Sequence, residues 1–522
     1  MSRTDPPPVK DLSRIAAENN PDAVAFADGA DGETVTWSAF DERSSRAANA
    51  LRQYVGQGDR VAFLCESSVD FVTLWNGALK AGCIVSNLHA GASPETLRYD
   101  IDELRPRVLV VDAEHAELVE NHLDDEVSTA LDAVVTVGPT RAEDERSMDG
   151  FLDGHAADEP DVRVDADDVM AVLWTSGTTG RPKGWCLTNR GFYERGMKLA
   201  TAKGYTRHSG RIQGLTPAFA AWYSGTAPAM VTNASTYFLR TWDPAAFLRV
   251  IDERAPTHAT LVPTMWRELV NLEGFRDYDL SSLERVTAAG EPLDASILEL
   301  LREHVCERVT NAYAATEVLG TTITNEELEG DHVESVGKPL PGTELRVVEE
   351  GGPPDAEKPP GAVGEIIVKG SDAVVWAWGD TAQTDAVFED GWWYSDDLGY
   401  KDEEGFLFLS GRKDFMILSK GIKVYPPPIE ERLNAHPGVA ESAVIGVEDE
   451  EYGEKVTAIV NRADPDLTAD DLEQWCLESE ALARYERPRA YHFVDEPLPR
   501  TVTGKTDREA ALRELIDEAG EP

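Results

Sequence analysis

Cysteine is sparse and unpaired in this chain: Cys65, Cys83, Cys186, Cys306 and Cys476 are scattered, odd in number and never spaced Cys-x-x-Cys. That pattern argues against a disulfide framework or structural zinc and for reduced thiols. Long apolar runs are missing too. No stretch approaches the roughly 18 apolar residues of a membrane-spanning helix, and the opening Met1-Ser2-Arg3-Thr4-Asp5-Pro6-Pro7-Pro8 has no apolar signal core. A cytoplasmic location without membrane insertion is therefore expected. Positive charge is scarce, with 49 Lys plus Arg against 96 Asp plus Glu, a formal net charge of −47. Such a chain repels nucleic acid and anionic lipid, which excludes both as partners. The acids run along the whole length and do not gather in a tail. Self-repulsion on that scale needs screening, so a halophilic proteome adapted to molar salt, where the Debye length falls to about 3 Å, is expected, that of an archaeon, with an ordinary acidic mesophile protein as the alternative.

What the sequence does contain is α/β texture. At 522 residues it exceeds one ordinary core, so two or more domains are expected. Short apolar runs such as 60–64, 107–111 and 133–137 alternate with helical stretches such as 38–54 and 70–81, the pattern of parallel sheets covered by helices. Residues 138–168 are acidic and turn-rich and read as an exposed connection; residues 349–364 form a Pro/Gly turn cluster before the strand-like Glu365-Ile366-Ile367-Val368. After Arg412 a smaller α+β texture begins, with strands expected at 443–447 and 455–460 and helices at 428–435 and 470–481. The predicted boundary divides the chain into 1–412 and 413–522.

Chemistry concentrates at Trp174-Thr175-Ser176-Gly177-Thr178-Thr179-Gly180-Arg181-Pro182-Lys183-Gly184, directly after the apolar Val169-Met170-Ala171-Val172-Leu173. Glycines admit positive φ and close approach to an oxyanion, hydroxyls and free N–H groups donate to it, and the cations offset its charge. It is not a Walker A loop, because Lys183 is followed by Gly184 and not by Ser or Thr. A short Gly/Ser/Thr loop alone reads equally as a solvated turn. The full string resembles the AMP-binding signature of the adenylate-forming superfamily, which includes acyl-CoA synthetases, coumarate CoA ligases, luciferase and peptide-synthetase adenylation domains.

Further motifs follow in that family's order. Tyr313-Ala314-Ala315-Thr316-Glu317 is similar to its Tyr-Gly-x-Thr-Glu element, implying Thr316 at the α-phosphate and Glu317 as the magnesium ligand. Gly391-Trp392-Trp393-Tyr394-Ser395-Asp396-Asp397 resembles the stretch that places a carboxylate, here Asp397, on the ribose hydroxyls. Gly411-Arg412-Lys413-Asp414 matches the linker motif, with Arg412 near the ribose and Asp414 as hinge, and Pro499 to Lys505 resembles the catalytic-lysine motif. The resemblance also implies nucleotide contacts from Thr175 to Gly180, at Gly290, Glu291 and Pro292, and at Asn311, Ala312 and Tyr313. It extends upstream through Thr36 to Phe40, Gly58 to Ala62 and Leu79 to Gly82, so it covers nearly the whole chain.

The fold implied is a large multi-subdomain N-terminal region with parallel and mixed sheets and a small mobile C-terminal lid, with the active site in the cleft between them. The chemistry implied is attack of a carboxylate on the α-phosphorus of ATP, followed by acyl transfer to a thiol. Two anions must meet, so placed positive charge is what a site must supply: Mg²⁺, Lys183 and Lys505 in the first step. Lys420, in Ser419-Lys420-Gly421, is a candidate cation for the second, CoA-dependent step and equally a solvated lysine. Arg484, Arg487 and Arg489 are candidates for CoA phosphates or for pairing with Glu486.

Several positions depart from the family pattern: Ala220 and Asn189 stand where His is frequent, Ala314 and Asp396 where Gly is, and Pro428 where Glu is. The resemblance implies an acyl pocket along Phe219 to Gly225 and near Val262, Gly290, Ala312 and Val318, which here gives Phe219, Trp222, Tyr223, Val318 and Leu319, an apolar and aromatic wall without a charged anchor. A fatty or aromatic acid is therefore expected, because an amino acid would need a buried acid for its ammonium group. Transfer to a carrier protein or another acceptor, and an inactive nucleotide-binding relative, are the alternatives.

Overall fold

The computed structural model describes residues 5–122, 131–138, 148–175, 182–290, 293, 295–318, 320–325, 332–374, 376–379, 381–420, 422–449, 451–479, 482, 485–500, 506–508 and 510–512. The chain divides into two compact units, residues 1–344 with 368–393 and residues 345–367 with 394–522.

The first unit is α/β. One six-stranded sheet runs in the order Ala133–Val137, Val108–Asp112, Arg60–Leu64, Ile84–Asn87, Val169–Thr175, Lys183–Thr188; all neighbours are parallel except the last pair. A nine-stranded sheet has the parallel centre Val309–Ala315, Arg285–Ala289, His258–Leu261, Gly210–Gln213, Ser235–Phe238, Val24–Asp28, with antiparallel strands at both ends. The expected alternation of apolar strands and amphipathic helices is thus present.

Local chemistry fixes the helix ends. Ser68 caps the helix Val69–Lys80 by accepting from the Phe71 amide at 3.1 Å, and Thr36 caps Trp37–Leu51 in the same way. Lys80, part of the Leu79-Lys80-Ala81-Gly82 motif, is fully buried, and its ammonium donates to Asp41 (2.6 Å) and Ser45 (3.0 Å). That motif therefore carries a buried ion pair tying two helices together, not a ligand site. No helix among the described residues is long and apolar enough to cross a membrane.

In the second unit the strands Ile422–Val424, Ile417–Ser419, Gly453–Arg462 and Val439–Asp449 pair in that order, with Ala490–Val494 parallel to Gly453–Arg462. Helices Pro426–Asn434 and Ala469–Leu477 pack with this sheet around Ile429, Leu433, Val444, Val456 and Leu472. Both strands and both helices expected after Arg412 are present. Pro428 lies in the first helical turn, where a missing N–H costs nothing, and Thr468 with Asp471 forms a capping box for the second helix.

One buried acid carries a stability prediction. Asp100, on the helix Pro94–Leu104, is 4 % exposed, its Oδ1 lacks a partner, and burial pushes its carboxyl up to about 8. The folded state therefore holds a proton that the unfolded chain releases, so stability present at acid pH is lost as pH rises from about 4 to 8. Asp100→Asn should melt above the wild type, by a margin that widens between pH 5 and 8 to roughly 5 °C and then levels off. Melting curves across that range check it; a margin that shrinks with pH would overturn it.

Candidate functional site

The signature loop springs from a hairpin. Strands Val169–Thr175 and Lys183–Thr188 are antiparallel, with Thr175 opposite Lys183 and the Thr175 hydroxyl donating to the Lys183 carbonyl at 3.4 Å. Both residues are half-buried; Ser176, Gly177, Thr178, Thr179 and Gly180 lie outside the described residues. Gly184 is required by packing, since a Cβ there would sit 2.9 Å from Val172 Cγ1 and 3.2 Å from Trp378 Cβ.

A second group gathers at the carboxyl ends of two parallel strands in the same unit. Gly290 follows Arg285–Ala289 with φ +90°, and Ala289 pairs with Ala312 of Val309–Ala315. Asn311 is buried and donates to the Ser335 carbonyl (3.1 Å), Tyr313 is buried beside it, and the half-buried Thr316 and Glu317 occupy the turn that ends the strand. The Val374 amide fixes that turn by donating to the Glu317 carbonyl at 2.9 Å. Carboxyl strand ends are where open α/β sheets take ligands, and a carboxylate beside a hydroxyl suits a hard cation and a phosphate. Glu291 and Pro292 lie outside the described residues.

In the other unit Asp397 and Arg412 face each other across Trp392–Lys401 and Leu407–Arg412, joined at 2.9 Å. Asp397 is further set by its amide donating to Ser395 Oγ at 3.0 Å. Asp396 takes φ +58°, a left-handed conformation that Gly adopts freely and Asp tolerates. The departure from the family Gly is therefore one of strain and not of chain path. Lys413 then reaches Glu365 (2.9 Å) and Asp396 (3.3 Å).

Comparison with known proteins decides the family. A profile described as AMP-binding enzyme matches residues 13–375, and one described as AMP-binding enzyme C-terminal domain matches 428–505. The chain belongs to the AMP-binding enzyme family. Within it the chain is acyl-CoA ligase-like. It is 30 % identical over 518 residues to a long-chain-fatty-acid–CoA ligase of Escherichia coli, covering 94 % of this chain and 91 % of that one. It is also 30 % identical over 494 residues to a feruloyl-CoA synthase of Amycolatopsis sp., covering 94 % and 95 %. The crystal structure of ATP-bound MatB from Rhodopseudomonas palustris superposes with a TM-score of 0.85 at 26 % identity, covering 98 % and 100 %.

Within this AMP-binding enzyme the remaining candidates divide. Lys420 adopts φ +51° and pairs with Glu451 at 2.6 Å, its ammonium 4.1 Å from the Tyr452 ring. It is thus a partnered surface lysine here, with its pKa raised by Glu451. Arg487 pairs with Glu473 and not with Glu486, and Arg489 lies 6.0 Å from the Tyr452 ring. Asp414 sits in the one-turn helix Lys413–Phe415, its side chain outside the described residues, as are Arg484 and the whole of 501–505, Lys505 included.

The acyl-wall candidates separate as well. Phe219 ends a loop before the helix Ala220–Thr232 and is half-buried, tilted against His89 at 5.0 Å. Trp222 and Tyr223 are 0 % exposed and belong to an aromatic cluster with Trp75, 5.4 Å and 6.1 Å away. They offer no surface to a ligand in this conformation, because they fill the space toward the six-stranded sheet. Val318 is buried, and Leu319 lies outside the described residues. Asn189, the other missing His, is buried, accepting from the Val9 amide (2.9 Å) and donating to the Asp168 carbonyl (3.0 Å). Two polar residues of this region escaped the reading of the sequence, Arg211 and Gln213, buried on the strand Gly210–Gln213. Their alternation in Gly-Arg-Ile-Gln, one face polar within a core strand, was the available signal.

Proposed function

We propose that this enzyme activates a fatty or aromatic carboxylic acid with ATP, giving an acyl adenylate and pyrophosphate, and then passes the acyl group to the thiol of CoA with release of AMP. The observation that carries this reading is the convergence of Gly290, Ala312, Thr316 and Glu317 on adjacent carboxyl strand ends, inside a chain that matches both halves of the family. The two relatives named for a long-chain fatty acid and for ferulate support the substrate class.

The roles follow from charge. In the first step a carboxylate oxygen of the acid bonds to the α-phosphorus and the bond to pyrophosphate breaks. Thr175 to Gly180 and Lys183 hold the phosphates, the Thr316 hydroxyl meets the α-phosphate, Asp397 with Arg412 takes the ribose, and Lys505 draws the two anions together. Glu317 would hold the Mg²⁺, which when bound neutralises phosphate charge; a single carboxylate with phosphate oxygens suits that ion. In the second step the thiol sulfur bonds to the acyl carbon, AMP leaves, and Lys420, released from Glu451, stands in for Lys505. The lid, 413–522, turns at Asp414 between the steps. Molar salt is the proposed working medium.

A pyrophosphate-release screen over fatty and aromatic acids, with and without CoA, tests the reading. Acid-dependent release together with a CoA thioester of the same acid is expected. Release without thioester would point to another acceptor, and no release with any acid would overturn the proposal.

A further inference from the structure

Five neighbouring strands of the nine-stranded sheet have two unlike faces. On one, Ile212, Ala259, Leu261, Val286, Ala288 and Val309 form an apolar core. On the other, strand register lines up Thr236, Arg211, His258 and Arg285 in one row and Gln213, Thr260, Thr287 and Thr310 near the next. That face is polar yet buried, which costs free energy unless its groups are paired. Some are: Lys203 Nζ donates to Thr287 Oγ1 at 3.0 Å, and His258 Nε2 lies 2.9 Å from the Lys203 carbonyl with the Tyr205 ring stacked on it at 3.9 Å. His258 is kept neutral by burial, its pKa pushed down to about 4.

Arg211 is the exception. It is 2 % exposed, donates from Nη2 to Gln213 (3.3 Å) and has the Tyr205 hydroxyl beside its guanidinium, yet Nε and Nη1 have no acceptor, and the hydroxyls of Thr236 and Thr310 on the same face also lack partners. Its guanidinium lies against Gly225 of the helix Ala220–Thr232, where a Cβ would come within 2.0 Å of Nη1, so only glycine leaves room for it. Gln213 in turn donates to the Trp222 carbonyl of that helix at 3.2 Å. Gly225, Thr260, Val262 and Ala289, on this helix and this face, all keep accessible surface. Register puts Val262, at the site end, about 13 Å along the strand from His258, level with Arg211. Accessible surface on this face is thus found at the strand-end residues Val262 and Ala289, at Thr260, and at Gly225, which lies directly against the guanidinium.

Resting on the proposed acid–CoA ligase reading, we propose that Arg211 receives a second carboxylate at the far end of the acyl substrate, which makes the preferred acid a dicarboxylate, aliphatic or aromatic. A planar guanidinium with two unmet donors is the group that binds a carboxylate bidentately. Arg211 is then a specificity-determining residue at the far end of the acyl site.

Matched acids test this: monocarboxylic acids and the α,ω-dicarboxylic acids of equal length, with cinnamate against 4-carboxycinnamate, assayed by acid-dependent ATP–pyrophosphate exchange. The best dicarboxylate should exceed its monocarboxylic partner in kcat/KM by about 100-fold, the upper range for a hydrogen bond to a charged group. Arg211→Met should erase that ratio by raising KM for the dicarboxylate far more than for its monocarboxylic partner. Should that variant not fold, Gly225→Ala, which displaces the guanidinium, should lower the ratio in the same direction. Exchange with monocarboxylates only, or a ratio untouched by either variant, overturns the dicarboxylate proposal while leaving the ligase reading standing. No exchange with any acid overturns both.

Discussion

Lys505→Ala should lower acid-dependent pyrophosphate exchange by a factor of about 10² to 10³, the range found when one preorganised donor to a developing oxyanion is removed. The same variant, given a synthetic acyl adenylate and CoA, should form the thioester within about threefold of the wild-type rate. The two half-reactions differ in what must be neutralised. Adenylation brings a carboxylate against a triphosphate, so an ammonium bridging them acts most strongly in the transition state and raises kcat as well as binding. Thioester formation starts from an acyl adenylate with a single phosphate charge and, as the thiol loses its proton, releases AMP as the phosphate monoester dianion, so no second reacting anion has to be drawn against the phosphate. Lys505 follows Gly504, and a glycine before it suits a loop that delivers charge in one lid state and removes it in the other. Lys420→Ala is the mirror experiment: its cost should fall on thioester formation alone. Equal losses of both half-reactions in Lys505→Ala would remove the division of labour between the two lysines.

Much of this molecule was legible before its structure. The helix Val69–Lys80 was readable as a helical stretch over 70–81 between apolar runs, and the strand into the signature loop because five apolar residues precede it. The motifs named Gly290, Ala312 and Glu317 as nucleotide or magnesium contacts, but their place at carboxyl strand ends came only with the register of the sheet. What escaped has a common cause. The helix Ala220–Thr232, Ala-Ala-Trp-Tyr-Ser-Gly-Thr-Ala-Pro-Ala-Met-Val-Thr, is apolar nearly all round, so periodicity cannot say which side meets which sheet. Its aromatic side turned to Trp75 and its Gly225 side to Arg211. Lys420 was equally opaque, because its partner Glu451 lies 31 residues on. Local pattern yields elements and caps, whereas long-range pairing decides which polar residue is satisfied and which is left to bind.

Raising KCl from 0.1 M to several molar should carry the protein from a poorly folded, inactive state to full helical circular dichroism and full activity, the two rising together. With 96 acids against 49 strong bases, each added carboxylate meets mostly like charge. At 0.1 M salt the Debye length is about 10 Å, longer than the spacing of neighbouring surface carboxylates, whereas at 1 M it is about 3 Å and only touching pairs still interact. Exposed ion pairs such as Arg163–Asp165 and Lys420–Glu451 cannot offset the repulsion, since each contributes at most about 1 kcal/mol. The opposing term is the apolar core, which salts excluded from the surface strengthen. The transition should therefore be cooperative in salt and should shift to lower salt when ATP and magnesium are present, because binding to the folded state adds stability by mass action. Native dichroism and unchanged activity in 0.1 M KCl would mean that the carboxylates are tolerated without screening, and the halophilic reading of the composition would fail with that single measurement.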